Sequence, residues 1–414
     1  MFKLQSQTKK GNGLKMAEFL KRRRIEMGIK LEDLSCGVCS PSYLSRIENN
    51  IVDVSEDYYK ALCEKMNINY ETVKVEREKN LYEDLLRAYF RINNVEIEAI
   101  VNHALASNSY CEIEIELMVL FYNIINNNYD EARRTLIRLD SVSNSLTNNE
   151  LLFYMYAFAL YAHKTNQNVK AYQQIMVLSK IEHNNALLDM AIYDLGVDIM
   201  MAIGNVALSY EYYHKFEKIA EMPIFGIRLH LHKLQLMTYT SSANYESALE
   251  QVELIKKNLN LTVPYIKEKY YYYLGIIMYI NNDYEKLYNI LVDNIISARI
   301  ASLLMMTVKK INDHQLQKSL IEKLDKYCFT KYEKLYDNYY RYVKLIFEGN
   351  SSYVLYNYVK NVLLSEKIYY DGFLIMEIKK AYLDECEGCS KYKEGMRYIK
   401  QDWQDGMNKN LNNK

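Results

Sequence analysis

The chain has 414 residues, half of them apolar, enough to bury more than one core and to form two or three domains. Three prolines and 13 glycines are too few for a collagenous, low-complexity or loop-dominated chain, and seven cysteines, an odd number, exclude a fully paired secreted disulfide framework. Net charge is zero, but residues 1–50 hold ten Lys and Arg against five Asp and Glu, so a head at +5 precedes a remainder at −5 and any nucleic-acid contact belongs to the N-terminus.

The opening MFKLQSQTKK lacks the apolar core of a signal peptide, and no apolar stretch reaches spanning length without a charged or polar break. The protein is therefore expected in the cytoplasm, away from the membrane. The scarcity of breakers and the long 3.6-period runs predict an all-α chain. Residues 13–70 read as one compact unit of about five helices. The first is predicted over Leu14–Met27, with Leu14, Phe19 or Leu20, and Ile25 turned inward, and Gly28 ends it as a left-handed cap. The second is predicted over Leu31–Cys36, and a tight turn follows near Gly37. The third is predicted over Pro41–Asn49, with Ser40 as N-cap and Pro41 in the first helical position. A further helix over Ser55–Met66 turns Tyr59, Leu62, Cys63 and Met66 to the core.

Leu34, Val38, Leu44 and Ile47 are spaced to hold the second and third helices against the first, leaving Ser42, Tyr43, Ser45 and Arg46 outward. That is the pattern of a helix-turn-helix with a polar recognition helix. A guanidinium such as Arg46 reads guanine O6 and N7 in two hydrogen bonds, and serine hydroxyls suit bases or phosphates. Ser40 and Pro41 open the helix whose first amides would meet a phosphate. Lys21, Arg22 and Arg23 would add backbone contacts.

The segment GLKMAEFLKRRRIEMGIKLEDLSCGVCSPSYLSRIENN, residues 13–50, resembles a Cro/repressor-type (XRE) helix-turn-helix. It is one residue shorter between Leu34 and Glu48 than the commonest spacing, and in this it is similar to the RRNPP regulators (the Rap, Rgg, NprR, PlcR and PrgX group). The resemblance implies an XRE head joined to a tetratricopeptide-like domain that binds a short signalling peptide. It also implies that Glu48 of the Ile-Glu-Asn motif pairs with an arginine near the end of helix one, where Arg24 stands. The second helix of such heads usually opens on Gln, which touches phosphate. Here that residue is Leu31, and Lys30 or Ser35 would substitute.

Residues 71–94 read as a linker helix ending at Asn93-Asn94. From 95 to 414, helices of about 12–18 residues alternate with short breaks such as Asn126-Asn127-Asn128, Asn148-Asn149, Ala243-Asn244 and Asn281-Asn282-Asp283. Asn128-Tyr129-Asp130-Glu131-Ala132, Asn244-Tyr245-Glu246-Ser247-Ala248 and Asp283-Tyr284-Glu285-Lys286-Leu287 share one grammar. An aromatic followed three residues later by a small or apolar side chain is the second-helix signature of tetratricopeptide-like repeats. The count is about seven or eight hairpins, expected to stack into a right-handed α-solenoid for effector binding and dimerisation. The abundance of Tyr and Asn reads as a coding bias. Candidate effector-binding residues on first helices are Tyr122, Asn123, Tyr156, Asp194, Gln235, Tyr272 and Arg341, offering rings and polar groups to an extended peptide.

Cys36-Gly37-Val38-Cys39 and Cys386-Glu387-Gly388-Cys389 have metal-ligand spacing, but no nearby His or further Cys completes either, so no metal and no cofactor is expected. His230 and His232, two apart, face different sides of a helix. No nucleophile elbow, phosphate loop, dinucleotide fingerprint or HExxH occurs, so no enzymatic activity is expected. The sequence reads as a homodimeric transcription regulator whose partners are double-stranded DNA and a short peptide. The alternative is a helical-repeat interaction protein that sequesters another regulator, such as a response regulator.

Overall fold

The head is built on α1 (Asn12–Glu26), α2 (Leu31–Ser35), α3 (Pro41–Glu48) and α4 (Glu56–Lys65), and residues 70–73 are also helical. In the computed structural model the described residues are 12–49, 51–52, 54–73, 81–106, 112–143, 146–181, 185–220, 226–238, 245–257, 264–364 and 372–400. Each head helix is too short to stand alone in water, so its stability comes from the face it buries. Met16, Ala17, Phe19 and Leu20 of α1 meet Leu34, Leu44, Ile47, Tyr59, Leu62 and Cys63 in one apolar cluster. Ile25, expected inward, is 55% exposed, because α1 ends one residue later and its last turn projects past that cluster. Gly28, at φ +65°, closes α1: Ile29 N–H bonds Arg24 C=O and Gly28 N–H bonds Ile25 C=O, the paired bonds of a Schellman cap. Tyr70 and Val73 also enter the head core.

Beyond the head the described residues are helical hairpins, with no strand among them. Nine pairs follow one another, from Leu81–Phe90 with Asn94–Ala106 to Gly372–Gly388 with 392–400, more than the seven or eight expected. Leu81–Phe90, read as part of a linker, packs against Asn94–Ala106 and Glu112–Ile125 as the first helix of a hairpin. It buries Tyr82, Leu85, Leu86, Tyr89 and Phe90 to do so.

The turns inside these hairpins share one construction. In six of them three residues separate the helices, and the middle one is left-handed: Ile92, Asn127, Asn166, Gly204, Asn282 and Ser390. Each turn repeats the Schellman pair; at Asn282, Asp283 N–H bonds Met278 C=O and Asn282 N–H bonds Tyr279 C=O. Asparagine tolerates positive φ better than other residues with a Cβ. Asn127, Asn166 and Asn282 therefore have a conformational task at these breaks. The tyrosine that opens the following helix returns a bond: Tyr129 Oη donates to Asn127 Oδ1 at 2.6 Å and Tyr284 Oη to Asn282 Oδ1 at 2.7 Å. The Ala243-Asn244 break lies outside the described residues.

Contacts divide the chain into two units, 1–161 with 176–189, and 162–175 with 190–414. The first centres on an aromatic cluster in which Tyr82 stacks on Phe153 at 4.5 Å and Phe121 meets Tyr89 at 5.2 Å. In the second, first helices pack on first helices: Gly226–Met237 on Pro264–Ile280, that on Ala298–Ile311, and that on Lys334–Phe347. Second helices bridge neighbours, as Tyr284–Leu291 does between Pro264–Ile280 and Ala298–Ile311. No helix among the described residues is long and apolar enough to cross a membrane.

Candidate nucleic-acid interface and buried charged cluster

α3 is set by its own first residues. Ser40 is extended, at φ −76° and ψ 151°, and its Oγ accepts from Tyr43 N–H at 3.2 Å. Pro41 follows at the position where a missing N–H costs nothing. Leu44, Ile47 and Glu48 are buried, while Ser40, Pro41, Ser42 and Arg46 are exposed. Ser42 and Arg46 are four apart, on one edge of the helix. Tyr43 and Ser45 are half-buried: the Tyr43 ring lies 5.9 Å from that of Tyr58, and Asn49 Nδ2 donates to Ser45 C=O at 2.7 Å.

The basic run of α1 divides. Lys21 Nζ donates to Asn49 Oδ1 at 2.7 Å and Arg23 Nη1 to Glu26 Oε2 at 3.0 Å. Arg24 grips Glu48 in two parallel bonds, Nε to Oε1 at 2.6 Å and Nη2 to Oε2 at 2.8 Å, and its Nη1 also donates to Ile29 C=O at 3.1 Å. Burial opposes charge on Arg22, yet Glu150, Glu114 and Glu26 hold its guanidinium above the usual range. Arg22 is 7% exposed and bonded to Glu150, so the expectation that it meets DNA phosphate is corrected. A guanidinium covered by the repeat helices cannot reach a duplex without first giving up that partner. Lys30 is exposed before α2, whereas Ser35 is buried and bonds Glu32 C=O, which removes it as a phosphate contact.

This arrangement is recognisable. Residues 20–73 match the family described as Helix-turn-helix. They form a helix-turn-helix domain. Comparison with curated proteins returns no match. Among solved structures, the chain is similar to Bacillus thuringiensis PlcR in complex with the peptide PapR7 and DNA, at 17% identity and TM-score 0.39 over 60% of this chain and 96% of that one. It is similar to a mutant form of PrgX at 14% identity and TM-score 0.29, over 65% and 95%. It is also similar to the Streptococcus dysgalactiae SHP pheromone receptor Rgg2 at 12% identity and TM-score 0.25, over 62% and 98%.

Outside the helix-turn-helix domain, the densest chemistry is a buried charged cluster in the second unit. Asp194 and Asp198, one turn apart on Ala186–Ala202, face Gly226–Met237 and Pro264–Ile280. Arg228 Nη1 donates to Asp194 Oδ2 at 2.8 Å, and His232 Nε2 lies 2.8 Å from Asp194 Oδ1. Gln235 Oε1 is 3.2 Å from His232 Nδ1, and Lys269 Nζ bonds Asp198 Oδ2. Burial pushes both carboxyls up, but Arg228 and His232 hold Asp194, and Lys269 and His232 hold Asp198, below the usual carboxylate range. His163 is pushed down to about 4 and Lys164 to about 7, both chiefly by burial. Beside them lies a cavity of about 20 Å³, lined by His163, Asp198, Gln235, Thr238, Arg299 and Phe373. It has the size of one water, and a peptide would have to open it.

The seven effector candidates do not gather in one place. Asp194 and Gln235 join the cluster. Tyr156 and Tyr272 are 0% and 1% exposed and serve as core, which corrects their reading as groove lining. Tyr156 lies with Phe121 and Phe153, and the Arg299 guanidinium sits 5.1 Å above the Tyr272 ring. Tyr122 and Asn123 are half-buried in the first unit, and Asn123 C=O receives the cap bond from Asn128 N–H. Arg341 is exposed and tied to Asp337 on its own helix. Sequence reasoning missed Asp198, Arg228, His232 and Lys269. The spacing Asp194-x-x-x-Asp198 on an otherwise apolar helix was the available signal.

Burial raises the Cys39 and Cys386 thiols and pushes Cys63 up to about 12, away from the thiolate that redox or metal chemistry needs. No group of three or more His, Cys, Asp or Glu among the described residues could hold a metal ion.

Proposed function

We propose that this chain is a cytoplasmic, homodimeric transcription regulator. Its helix-turn-helix domain, about 1–70, reads operator DNA, and its hairpins dimerise and bind a short signalling peptide. One observation carries the reading: a folded helix-turn-helix whose third helix presents Ser42 and Arg46 to solvent while Leu44 and Ile47 anchor it. Ser40, Pro41, Ser45, Tyr43, Lys30, Lys21 and Arg23 would border that edge. The resemblance of residues 13–50 to RRNPP heads and the run of tetratricopeptide-like hairpins support the peptide. The cluster around Asp194 and Gln235 supplies polar partners for peptide groups once its cavity opens. The protein binds and switches rather than catalyses.

The test is genome-wide DNA occupancy with and without a small open reading frame beside the gene, repeated with Arg46→Ala. Arg46→Ala should cost about 1–3 kcal/mol at specific sites and blunt discrimination there. Unchanged site affinity in a folded Arg46→Ala protein refutes the assignment of α3. If no peptide from the neighbouring frame binds while a partner protein co-purifies stoichiometrically, the chain acts by sequestering another regulator instead.

A further inference from the structure

We propose that Arg22 and Glu150 form a positioning latch through which the first repeats hold the helix-turn-helix domain in one orientation. Of the four consecutive basic residues on α1, Lys21, Arg23 and Arg24 find partners within the head. Arg22 crosses to a helix 128 residues away. Both partners are shielded, with side chains 7% and 1% exposed. Glu150 is also fixed within its own helix. Its Oε2 accepts from Thr147 N–H at 2.7 Å, and Thr147 Oγ1 accepts from Glu150 N–H at 3.2 Å, the reciprocal bonds of a capping box at the start of Asn148–Lys164.

The latch reaches the recognition helix in two steps. Arg22 and Arg24 stand two residues apart on α1. The first holds Glu150 at the start of a repeat helix, and the second holds Glu48 in the last turn of α3. One rigid helix thus joins two carboxylates, one in the body and one on α3. The pair is also imperfectly satisfied: Arg22 Nε and Glu150 Oε1 are buried with no hydrogen-bond partner. A buried ion pair with unmet polar atoms is a poor way to gain stability over an apolar contact. It suits a joint that specifies an orientation and can be released.

The consequence for DNA rests on reading α3 as the DNA-contacting helix; the latch itself does not. Hydrogen exchange of the full chain separates the two. Glu150→Gln keeps the capping box, since glutamine accepts the same bond, and removes the charge. Arg22→Met removes the guanidinium and keeps an unbranched apolar stem. Either variant should raise exchange about tenfold or more at amides 147–152 and 20–26 while α3 stays protected. Arg22→Lys should fall between them and the unaltered chain. Unchanged exchange at 147–152 in Arg22→Met, with α3 protected, overturns the latch. If Arg22→Met unfolds the head, Glu150→Gln decides alone, because it leaves every head residue in place.

The second arm uses duplexes selected by the unaltered chain from a random-sequence library. The latch predicts that both variants lose affinity about threefold or more for duplexes carrying two half-sites and stay within about twofold on one half-site, since only relative placement has changed. Equal losses on both duplexes overturn the positioning role. A selection that enriches no DNA refutes the DNA-binding reading and leaves the exchange result to judge the latch.

Discussion

Arg24 and Glu48 show how much one residue pair holds in the head. The carboxylate is nearly covered and the guanidinium mostly so, at 2% and 12% side-chain exposure. Truncating one partner leaves the other charge without its counterion in a half-dry site, which costs more than removing both. Glu48→Ala should therefore lower stability by about 2–4 kcal/mol, and a cycle with Arg24→Ala in urea unfolding should show coupling of about 1–3 kcal/mol. Additive losses would deny the pair any cooperative role. The run Lys21-Arg22-Arg23-Arg24 also marks a limit of reading by eye. Family resemblance singled out Arg24, because its partner lies in the same motif. Nothing local distinguished Arg22 from Lys21 or Arg23, because its partner Glu150 belongs to a different fold element.

At the scale of elements, what was legible follows from local rules. The helices of the head were readable because each buries one side, and because Gly28 ends the first and Ser40 caps the third. The hairpin breaks were readable because left-handed asparagines such as Asn127 and Asn282 interrupt long apolar runs. The inner face of the repeats was not. Asn148–Lys164 buries every residue from Leu151 to Ala157, so its sequence carries no polar stripe to give a direction. Close helix approach was also hidden. A Cβ on Gly196 would stand 2.1 Å from the Tyr212 ring, which itself packs on Tyr193. Alanine there gains about 1 kcal/mol of helix propensity but must displace an aromatic ring packed against the same helix, an overpacking cost of about 1–3 kcal/mol. Gly196→Ala should be destabilising on balance, by calorimetry; a raised melting temperature would show that Tyr212 yields cheaply.

For the molecule as a whole, two half-buried bases impose a pH response with a definite sign. His163 is held neutral, its value pushed from 6.5 to about 4 by burial against the pull of Asp198. Between about pH 6.5 and 4 the unfolded chain takes up a proton that the folded chain refuses, so stability falls as pH falls through that window. Lys164, lowered from 10.5 to about 7, contributes the same sign at higher pH. Thermal melts from pH 7 to 4.5 should show a steeper decline for the unaltered protein than for His163→Gln, and parallel curves would mean that His163 is protonated in the fold. The three-residue hairpin turns have a different reach, best seen from the gene. One extra codon within 126–128 or 281–283 would rotate the helix that follows by about 100°, swinging Leu136 and Leu139, or Leu287 and Leu291, out of the core they now fill. Segments 293–296 and 326–332 join one hairpin to the next without that tight geometry. A library of single-codon insertions screened for soluble protein should be depleted at the first positions and populated at the second, so that length variation is tolerated between these hairpins and excluded from their three-residue turns.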